Sequence, residues 1–467
     1  MALIEAVPLV DLQELGRVHF IAVGGAGMSG IAAAYADQGV AVSGSDQADS
    51  PALRRLAERG VDVHVGHSVD NLATADTVVV SSAIRESNVE LAEARSRGLR
   101  VWHRSAALGA LMLGRRGVSI TGTHGKTTTT GMAAEMLTAV GADPSYVIGS
   151  PLAGSGRSWR VGSGEVFVVE ADESDGSFLQ YPSEVVAITN VEADHLDNWG
   201  TAQNYFDGFV RLARQDAVRT VVLSADDPGT RALRPRVEGA GRRVISFGEA
   251  DDADVRLAEL SVQATEASAV LTAVGDSGPL RLAVPGRYNL HNAAAAYAVG
   301  RALDLDGRAL REAAATFRGT HRRFSLVGER DGARIYDDYA HHPTEVRALL
   351  AAARPLAGDG RLVVCFQPHL FTRTRDFADE FGDALAAADE VLVLDVYPAR
   401  EDPIPGVTGE LVARAARASG AAAVHYAADR SAAPQVLAGL IRPGDLVLTV
   451  GAGDVTEIGP AVLGGAR

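Results

Sequence analysis

VSITGTHGKTTTT, residues Val118–Thr130, reads as a short β-branched strand, a glycine turn and the opening of a helix. A turn of that kind points successive backbone N–H groups into its bend. The helix behind it adds its own unbonded N–H groups and the positive end of its dipole. The result is a cradle for phosphate, with Lys126 as a mobile ammonium and the Thr127 hydroxyl placed to join the shell of a magnesium ion. The longer pattern G-x-x-x-x-G-K-[ST] is not met, because Ile120 stands at its first glycine position; what remains is the narrower G-T-H-G-K-T-T. An ordinary strand–turn–helix with a solvated lysine is the plainer alternative. Against it stands one count: Lys126 is the single lysine among 44 Lys+Arg residues. A composition that uses arginine elsewhere keeps here the compact ammonium that can follow a phosphoryl oxygen through transfer.

At 467 residues the chain is too long for one core, and about three domains is the size-based expectation. With 47% hydrophobic and 22% charged residues it falls in the ordinary globular class. A net charge of −15 argues against a general nucleic-acid binder, which needs a basic face to release counterions. Any anionic substrate must then be held by local positive charge or by metal. One cysteine, Cys365, rules out intramolecular disulfides, suits a reducing compartment and sits in an apolar run as a buried thiol. The first twenty residues lack a basic region followed by an apolar core, and no run approaches the roughly 20 apolar residues of a membrane span. The expected location is the cytoplasm.

Upstream, the apolar strand Val18–Val23 runs into Gly25-Ala26-Gly27-Met28-Ser29-Gly30 and an alanine-rich helix, and a second strand ends at Asp46. That is the spacing at which dinucleotide folds set an acid on a ribose hydroxyl. Alone, G-x-G-x-x-G says only that a diphosphate can sit on this helix start, and a tight turn explains the glycines as well. Further alternation through TVVVSSAI and a helix near Val89–Arg97 makes a small doubly wound unit. His67 and Ser82 fall at or near its strand ends, where single polar residues are more often surface than ligand.

Downstream, VFVVEADES ends a buried strand in Glu170, Asp172 and Glu173, and VVAITN leads into Asn190-Val-Glu-Ala-Asp194-His195-Leu-Asp197. Acids at strand tips beside a phosphate loop are where a magnesium ligand or water-positioning group belongs, with Glu170 the first choice. Zinc is disfavoured, since no Cys/His cluster has ligand spacing. Asn289 and Asn292, three apart at a helix start, either cap that helix or read the edge of an adenine. After the junction His321-Arg322-Arg323, a polar loop IYDDYAHHPTE precedes a helix. The strands RLVVCF, EVLVLDV and DLVLTV then form a third α/β unit with polar loops at their ends. There Arg373 and Arg375 either hold an anion or line a solvated helix face.

These pieces, in this order, resemble the Mur ligases, the ATP-dependent amide-forming enzymes of peptidoglycan synthesis. The likeness rests on VGGAGMSGIA, VVVSSAI, TGTHGKTTTT, EADESDGSF, TNVEADHLD, PGRYNLHNAAAA, RRF, DDYAHHPTE and QPHLFTRTRDF, and the terminal GAGD extends it over nearly the whole chain. TGTHGKTTT marks the wider superfamily; GGAGMSGIA, EADESD and DDYAHHPTE are specific to the alanine-adding branch and its near relatives. The resemblance implies three α/β domains: a Rossmann-like UDP-sugar domain over 1–113, a central P-loop-type ATPase domain over 114–318 and a Rossmann-like C-terminal domain over 319–467. It implies ATP and magnesium, or manganese in its place, and as substrates UDP-N-acetylmuramate and L-alanine, with no nucleic acid and no membrane span, in a monomer or homodimer.

Carried over position by position, the resemblance sets Gly122, Thr123, His124, Gly125, Lys126, Thr127 and Thr128 around the ATP phosphates. Thr127, Glu170 and His195 are the implied metal ligands, and Lys126, Glu170 and His195 the catalytic set. Asn289 and Asn292 look like adenine readers, Asp338 like a ribose contact, and Arg322 or Arg323 like a phosphate contact. Gly25, Gly27, Met28, Ser29, Asp46, His67, Ser82 and Arg104 fall where the family binds the UDP-sugar, which replaces the dinucleotide reading of the first domain. Tyr339, His341, His369 and Arg373 match the face that receives the amino acid.

Two departures stand out. Relatives that add later amino acids carry a lysine, carbamylated to bridge magnesium, after the histidine of the DHLD motif; here the region reads NYFDGFVRL, which favours the alanine-adding branch. Where the family often has arginine after QPH, this chain has Leu370, so Arg373 must carry more of any carboxylate contact. The chemistry expected is transfer of the ATP γ-phosphoryl group to the muramoyl carboxylate, then attack of the alanine amine on the acyl phosphate. Shielding that intermediate from water predicts closure of the C-terminal domain over the central one. The nearest rival is a ligase that attaches a preformed tripeptide to the same sugar. More distant are an NAD-dependent reductase, which leaves the phosphate loop idle, and a nucleotide-switch protein, which leaves the first domain unexplained.

Overall fold

Short, fully buried apolar strands set the architecture, because a strand buried on both faces must be covered by helices on both sides. The computed structural model describes residues 3–399 and 401–464, so the two chain ends and Arg400 of the YPAREDP loop lie outside the described residues. The chain separates into two compact units. One comprises Met1–Glu259, Ala269–Arg281 and His291–Phe317, the other Leu260–Ser268, Leu282–Leu290 and Arg318–Arg467.

In the first unit a five-stranded parallel sheet has the order Asp62–Val65, Val42–Asp46, Val18–Ile21, Thr77–Val80, Arg100–His103. The order reverses at Val18–Ile21, so a crevice opens between the loop after it and the loop after Thr77–Val80, the usual ligand position in such sheets. The first loop is the glycine run and the second holds Ser82. The expected strand to Val23 stops at Ile21, because Ala22 takes a left-handed φ of 59° and turns the chain into the helix Ala26–Asp37. That helix is tied to the helix Arg104–Leu111 by the Tyr35 hydroxyl, which donates to the Ala107 carbonyl at 2.8 Å.

A ten-stranded sheet follows, in which Arg116–Thr121 lies between Val185–Ile188 and Val166–Glu170. Thus the loop after Thr121 is flanked by Glu170 on one side and by the Thr189–His195 loop on the other. Phe178, Trp199, Tyr205 and Phe209 pack edge to face beneath these loops, with ring centroids 5.2–6.2 Å apart. Strands Val255–Val262, Ala267–Ala273 and Asp276–Leu282 extend the far edge of this sheet, an addition that sequence reading did not pick out.

The second unit carries a six-stranded sheet in the order Ser325–Arg330, Ala333–Asp338, Leu446–Val450, Leu362–Phe366, Glu390–Leu394, Val424–Ala427; only the first pair is antiparallel. Two loops expected here are partly regular. Ile335–Asp338 of IYDDYAHHPTE completes a strand, and Phe371–Asp376 of QPHLFTRTRDF is a short helix. The three sheets span residues 18–103, 116–282 and 325–450, and fold as parallel-rich α/β layers. Cys365 is buried in the third sheet, and burial pushes its thiol up to about 12. Among the described residues no helix is long and apolar enough to cross a membrane.

Candidate active site

Strand Arg116–Thr121 delivers the chain into the turn Gly122–Gly125 and the helix Lys126–Ala139. Gly122 and Gly125 have φ of 124° and 82°, values that a side chain opposes. Space opposes it too: a Cβ on Gly122 would strike the Thr189 hydroxyl, and one on Gly125 would lie 2.8 Å from Asn292 Oδ1. The turn is braced from the neighbouring loop. His124 N–H donates to Asn190 Oδ1 at 2.8 Å, the Thr189 hydroxyl donates to the His124 carbonyl at 2.6 Å, and the Thr123 hydroxyl donates to the Glu192 carbonyl at 2.9 Å. His124 Nε2 lies 2.9 Å from Glu192 Oε2. Thr123 and His124 therefore act through bracing as well as through their backbone. Thr128 is buried in the first turn of the helix.

The six residues Glu170–Asp175 are the hub of the site, for the four acids among them hold five partners from elsewhere in the chain. Glu170 Oε1 accepts from the Thr127 hydroxyl at 2.7 Å and its Oε2 from the Gly149 N–H at 2.6 Å. Asp172 Oδ2 accepts from Arg104 at 3.1 Å, Glu173 Oε1 from Lys126 Nζ at 2.9 Å, and Asp175 Oδ2 from the Ser82 hydroxyl at 2.8 Å. Lys126 also donates to the Gly122 and Thr123 carbonyls, at 2.7 and 3.0 Å. Burial alone would lower the Lys126 ammonium, but Glu173, Asp172 and Glu170 outweigh it and hold it above its ordinary value. Burial pushes the Glu173 carboxyl up to about 8, against the pull of Lys126. His195, at a left-handed φ of 53°, brings Nε2 to 4.0 Å from Glu173 Oε1 and 3.5 Å from Asp194. Lys126, Thr127, Glu170 and His195 thus come together, and Glu173 joins them.

Of the residues expected on the sugar side, Ser82 and Arg104 reach this hub. His103, which sequence reading missed, holds Ser82 through Nε2 at 3.1 Å, and burial with the Arg104 charge beside it lowers His103 to about 4, leaving it neutral. Gly27 lies close under Arg104, whose Nη1 would be 3.5 Å from a Cβ there. Met28 is buried, and the backbone of Ser29 continues the first turn from Gly25. Asp46 turns its carboxylate back on the glycine loop, accepting from the Gly24 N–H at 2.8 Å. His67 stands apart from the hub, bound to Glu90 at 2.9 Å.

The two asparagines have different partners: Asn292 Oδ1 accepts from the Thr129 hydroxyl at 3.2 Å, and Asn289 donates to the Pro285 carbonyl at 2.5 Å. In the second unit, Arg322 donates to Asp337 and to the Gly451 and Gly453 carbonyls, so its guanidinium is committed locally. Arg322 and Arg323 both lie over the Tyr339 ring, at 4.9 and 5.0 Å. Asp338 accepts from the Phe324 and Ala340 N–H groups, and burial raises it to about 6. Tyr339, His341, His369 and Tyr397 form a run of ring contacts 5.3–6.0 Å apart. Arg373 is buried while Arg375 is exposed and paired with Asp376, which separates two arginines that looked alike in sequence. Leu370 is buried at an unfavourable φ of 70°.

Three domain families match consecutive parts of the chain: the Mur ligase family catalytic domain over residues 17–116, the Mur ligase middle domain over 120–300, and the Mur ligase glutamate ligase domain over 322–453. A Cutibacterium acnes protein named UDP-N-acetylmuramate–L-alanine ligase is 61% identical over 466 residues, 99% of each chain. A Thermobifida fusca protein of the same name is 50% identical over 99% of each. The crystal structure of UDP-N-acetylmuramate–alanine ligase from Thermotoga maritima matches with a TM-score of 0.80 at 29% identity, over 96% of this chain and 98% of that one. A murein peptide ligase from Psychrobacter arcticus, at 21% identity and a TM-score of 0.73 over 96% of this chain and 98% of its own, shares the fold.

Proposed function

The chain belongs to the Mur ligase family, and we propose that it joins the amine of L-alanine to the carboxylate of UDP-N-acetylmuramate, driven by cleavage of ATP to ADP and phosphate. The observation that carries this reading is the segment Glu170–Asp175. It holds the phosphate-loop residues Lys126 and Thr127 and the first-domain residues Ser82 and Arg104 along one short run of chain. A nucleotide phosphate at the loop and a carboxylate presented from the first sheet would meet at that run. A dehydrogenase would leave the loop without a purpose.

A carboxylate is a poor electrophile, because its leaving group would be oxide. Attack of its oxygen on the γ-phosphorus forms a C–O–P link and breaks the bond to the β-phosphate oxygen, releasing ADP. The neutral alanine amine then attacks the acyl carbon, the nitrogen loses its proton, and the tetrahedral intermediate expels phosphate. Lys126 neutralises charge on the phosphoryl oxygens while that bond changes hands. To do so it exchanges Glu173 for phosphate, and the backbone carbonyls of Gly122 and Thr123 keep its ammonium in the loop. Arg104 orients the sugar's carboxylate, and Asp172 holds Arg104 in place.

The donors present suit magnesium: a hydroxyl and a carboxylate oxygen, Thr127 Oγ1 and Glu170 Oε1, lie side by side, with the His195 imidazole in the same cluster. When bound, the ion supplies charge neutralisation at the phosphates. In the second unit we assign Asp338 to the ribose, Arg322 or Arg323 to phosphate, and the ring cluster with Arg373 to the amino acid. Asn289 and Asn292 are assigned to the adenine. Domain boundaries near 113 and 318 and a cytoplasmic location complete the proposal. The test is product: mass spectrometry of the purified chain with Mg-ATP, UDP-N-acetylmuramate and L-alanine should show the sugar gain one alanine less one water. No such product, with the fold intact, refutes the reading.

A further inference from the structure

Glu90 is fully buried, a costly place for a carboxylate unless its oxygens are all engaged. It begins the helix Val89–Ser96, where the dipole favours an acid. Its Oε1 accepts from Asn71 Nδ2 at 2.6 Å and the Ser68 N–H at 3.3 Å. Its Oε2 accepts from the Ser45 hydroxyl at 2.6 Å and faces His67 Nδ1 at 2.9 Å. His19, equally buried, stands 3.8 Å away, too far for a hydrogen bond. The Ser45 proton is used on Glu90, so the Ser45 oxygen, 3.1 Å from His67 Nδ1, can only accept there. Both neighbours of Nδ1 are therefore acceptors, and Nδ1 must carry the proton.

We propose that Glu90 is a positioning residue for His67: it fixes the Nδ1–H tautomer and the ring's orientation, so that Nε2 is presented as an acceptor to a donor on the UDP-sugar, a ribose hydroxyl or the uracil N3–H. This rests on the reading that His67 contacts the UDP-sugar. His67 follows the carboxyl end of strand Asp62–Val65, the end of an open α/β sheet at which ligands bind, and about a fifth of its side chain stays exposed. Glu90 touches no ligand; it acts through the histidine.

The test uses the full chain labelled with 15N-histidine at pH about 8, above the ordinary histidine range. The His67 signals are those that vanish in His67→Gln. The expected result is a protonated Nδ1 and a bare Nε2 whose shift moves on adding UDP-N-acetylmuramate; a bare Nδ1 overturns the proposal even if no Glu90 variant folds. In kinetics, His67→Gln should raise KM for the sugar about tenfold, the scale of one well-placed hydrogen bond. Glu90→Gln should raise it similarly while KM for ATP stays put, and the double variant should be no worse than His67→Gln alone. If His67→Gln leaves the sugar KM unchanged, it is the ligand contact that fails, and the wild-type tautomer still decides the role of Glu90. If His67→Gln raises KM but Glu90→Gln changes neither KM nor tautomer, the positioning role is wrong and the contact stands.

Discussion

Replacing Lys126 by methionine keeps the length of the side chain and removes only the ammonium. In the structure that ammonium makes three hydrogen bonds and faces three acids, so its loss has two separable effects. On catalysis, removing one preorganised electrostatic group costs about 3 to 4 kcal/mol of barrier, a factor of roughly 100 to 1000 in kcat. On stability, a buried carboxylate left alone would cost several kcal/mol. Glu173 escapes most of that at neutral pH, because burial already raises its carboxyl to about 8 and the variant raises it further, so it takes up a proton instead. The sign follows: a raised acid contributes its full stability below its unfolded value near 4.5 and loses it as pH climbs through about 8. Lys126→Met should therefore melt close to the wild type at pH 7 and fall behind it above pH 8. Phosphate release at saturating substrates, with denaturant unfolding at pH 7 and pH 9, reads both effects. A folded variant with kcat within threefold of wild type would refute the phosphate-loop assignment.

Gly125→Ala forces a side chain onto a φ of 82° and against Asn292, a backbone cost of about 1–2 kcal/mol; calorimetry should show ATP binding weakened at least tenfold with sugar binding unaffected. Arg104→Ala frees Asp172 of its partner and should raise KM for the UDP-sugar about tenfold, the scale of a lost charge-assisted bond, with little change in KM for ATP. For Glu90, burial raises the carboxyl, but the nearby His19 and the hydrogen bonds from Ser45, Asn71 and His67 outweigh it and lower it from 4.5 to about 2, worth about 3 kcal/mol. A lowered acid gives its stability above the unfolded value and loses it as pH falls, so Glu90→Gln should cost about 3 kcal/mol at pH 7 in urea unfolding and progressively less from pH 4.5 toward 2.

The phosphate loop was legible because its signals are local: β-branched residues make the strand, and the two glycines take the left-handed angles the turn needs. Asp46 was found by spacing, yet its carboxylate holds the glycine loop, a contact that spacing does not specify. Glu170, Asp172 and Glu173 were visible as a cluster, but Asp175, which holds Ser82, was not singled out, and the division of labour among the four was hidden. Which acid meets Lys126, Arg104, Thr127 or Ser82 depends on how two sheets present their strand ends, and neighbours in sequence turn to different sides. His67 and Ser82 looked like surface residues singly, because Glu90 and Asp175 are 23 and 93 residues away in the chain. Asp337 and Asp338 hid a strand: acids disfavour sheets. They are accommodated because Asp337 takes the Thr449 and Thr456 hydroxyls and Asp338 two backbone N–H groups.

The most direct test is phosphate release from Mg-ATP by the purified chain, with UDP-N-acetylmuramate present and L-alanine added or withheld, and with the L-alanyl tripeptide as a parallel acceptor. Release that requires both the sugar and alanine is the predicted result. Release supported by the tripeptide but not by alanine would move the chain to another branch of the family, and release that needs no acceptor would contradict the ligase account.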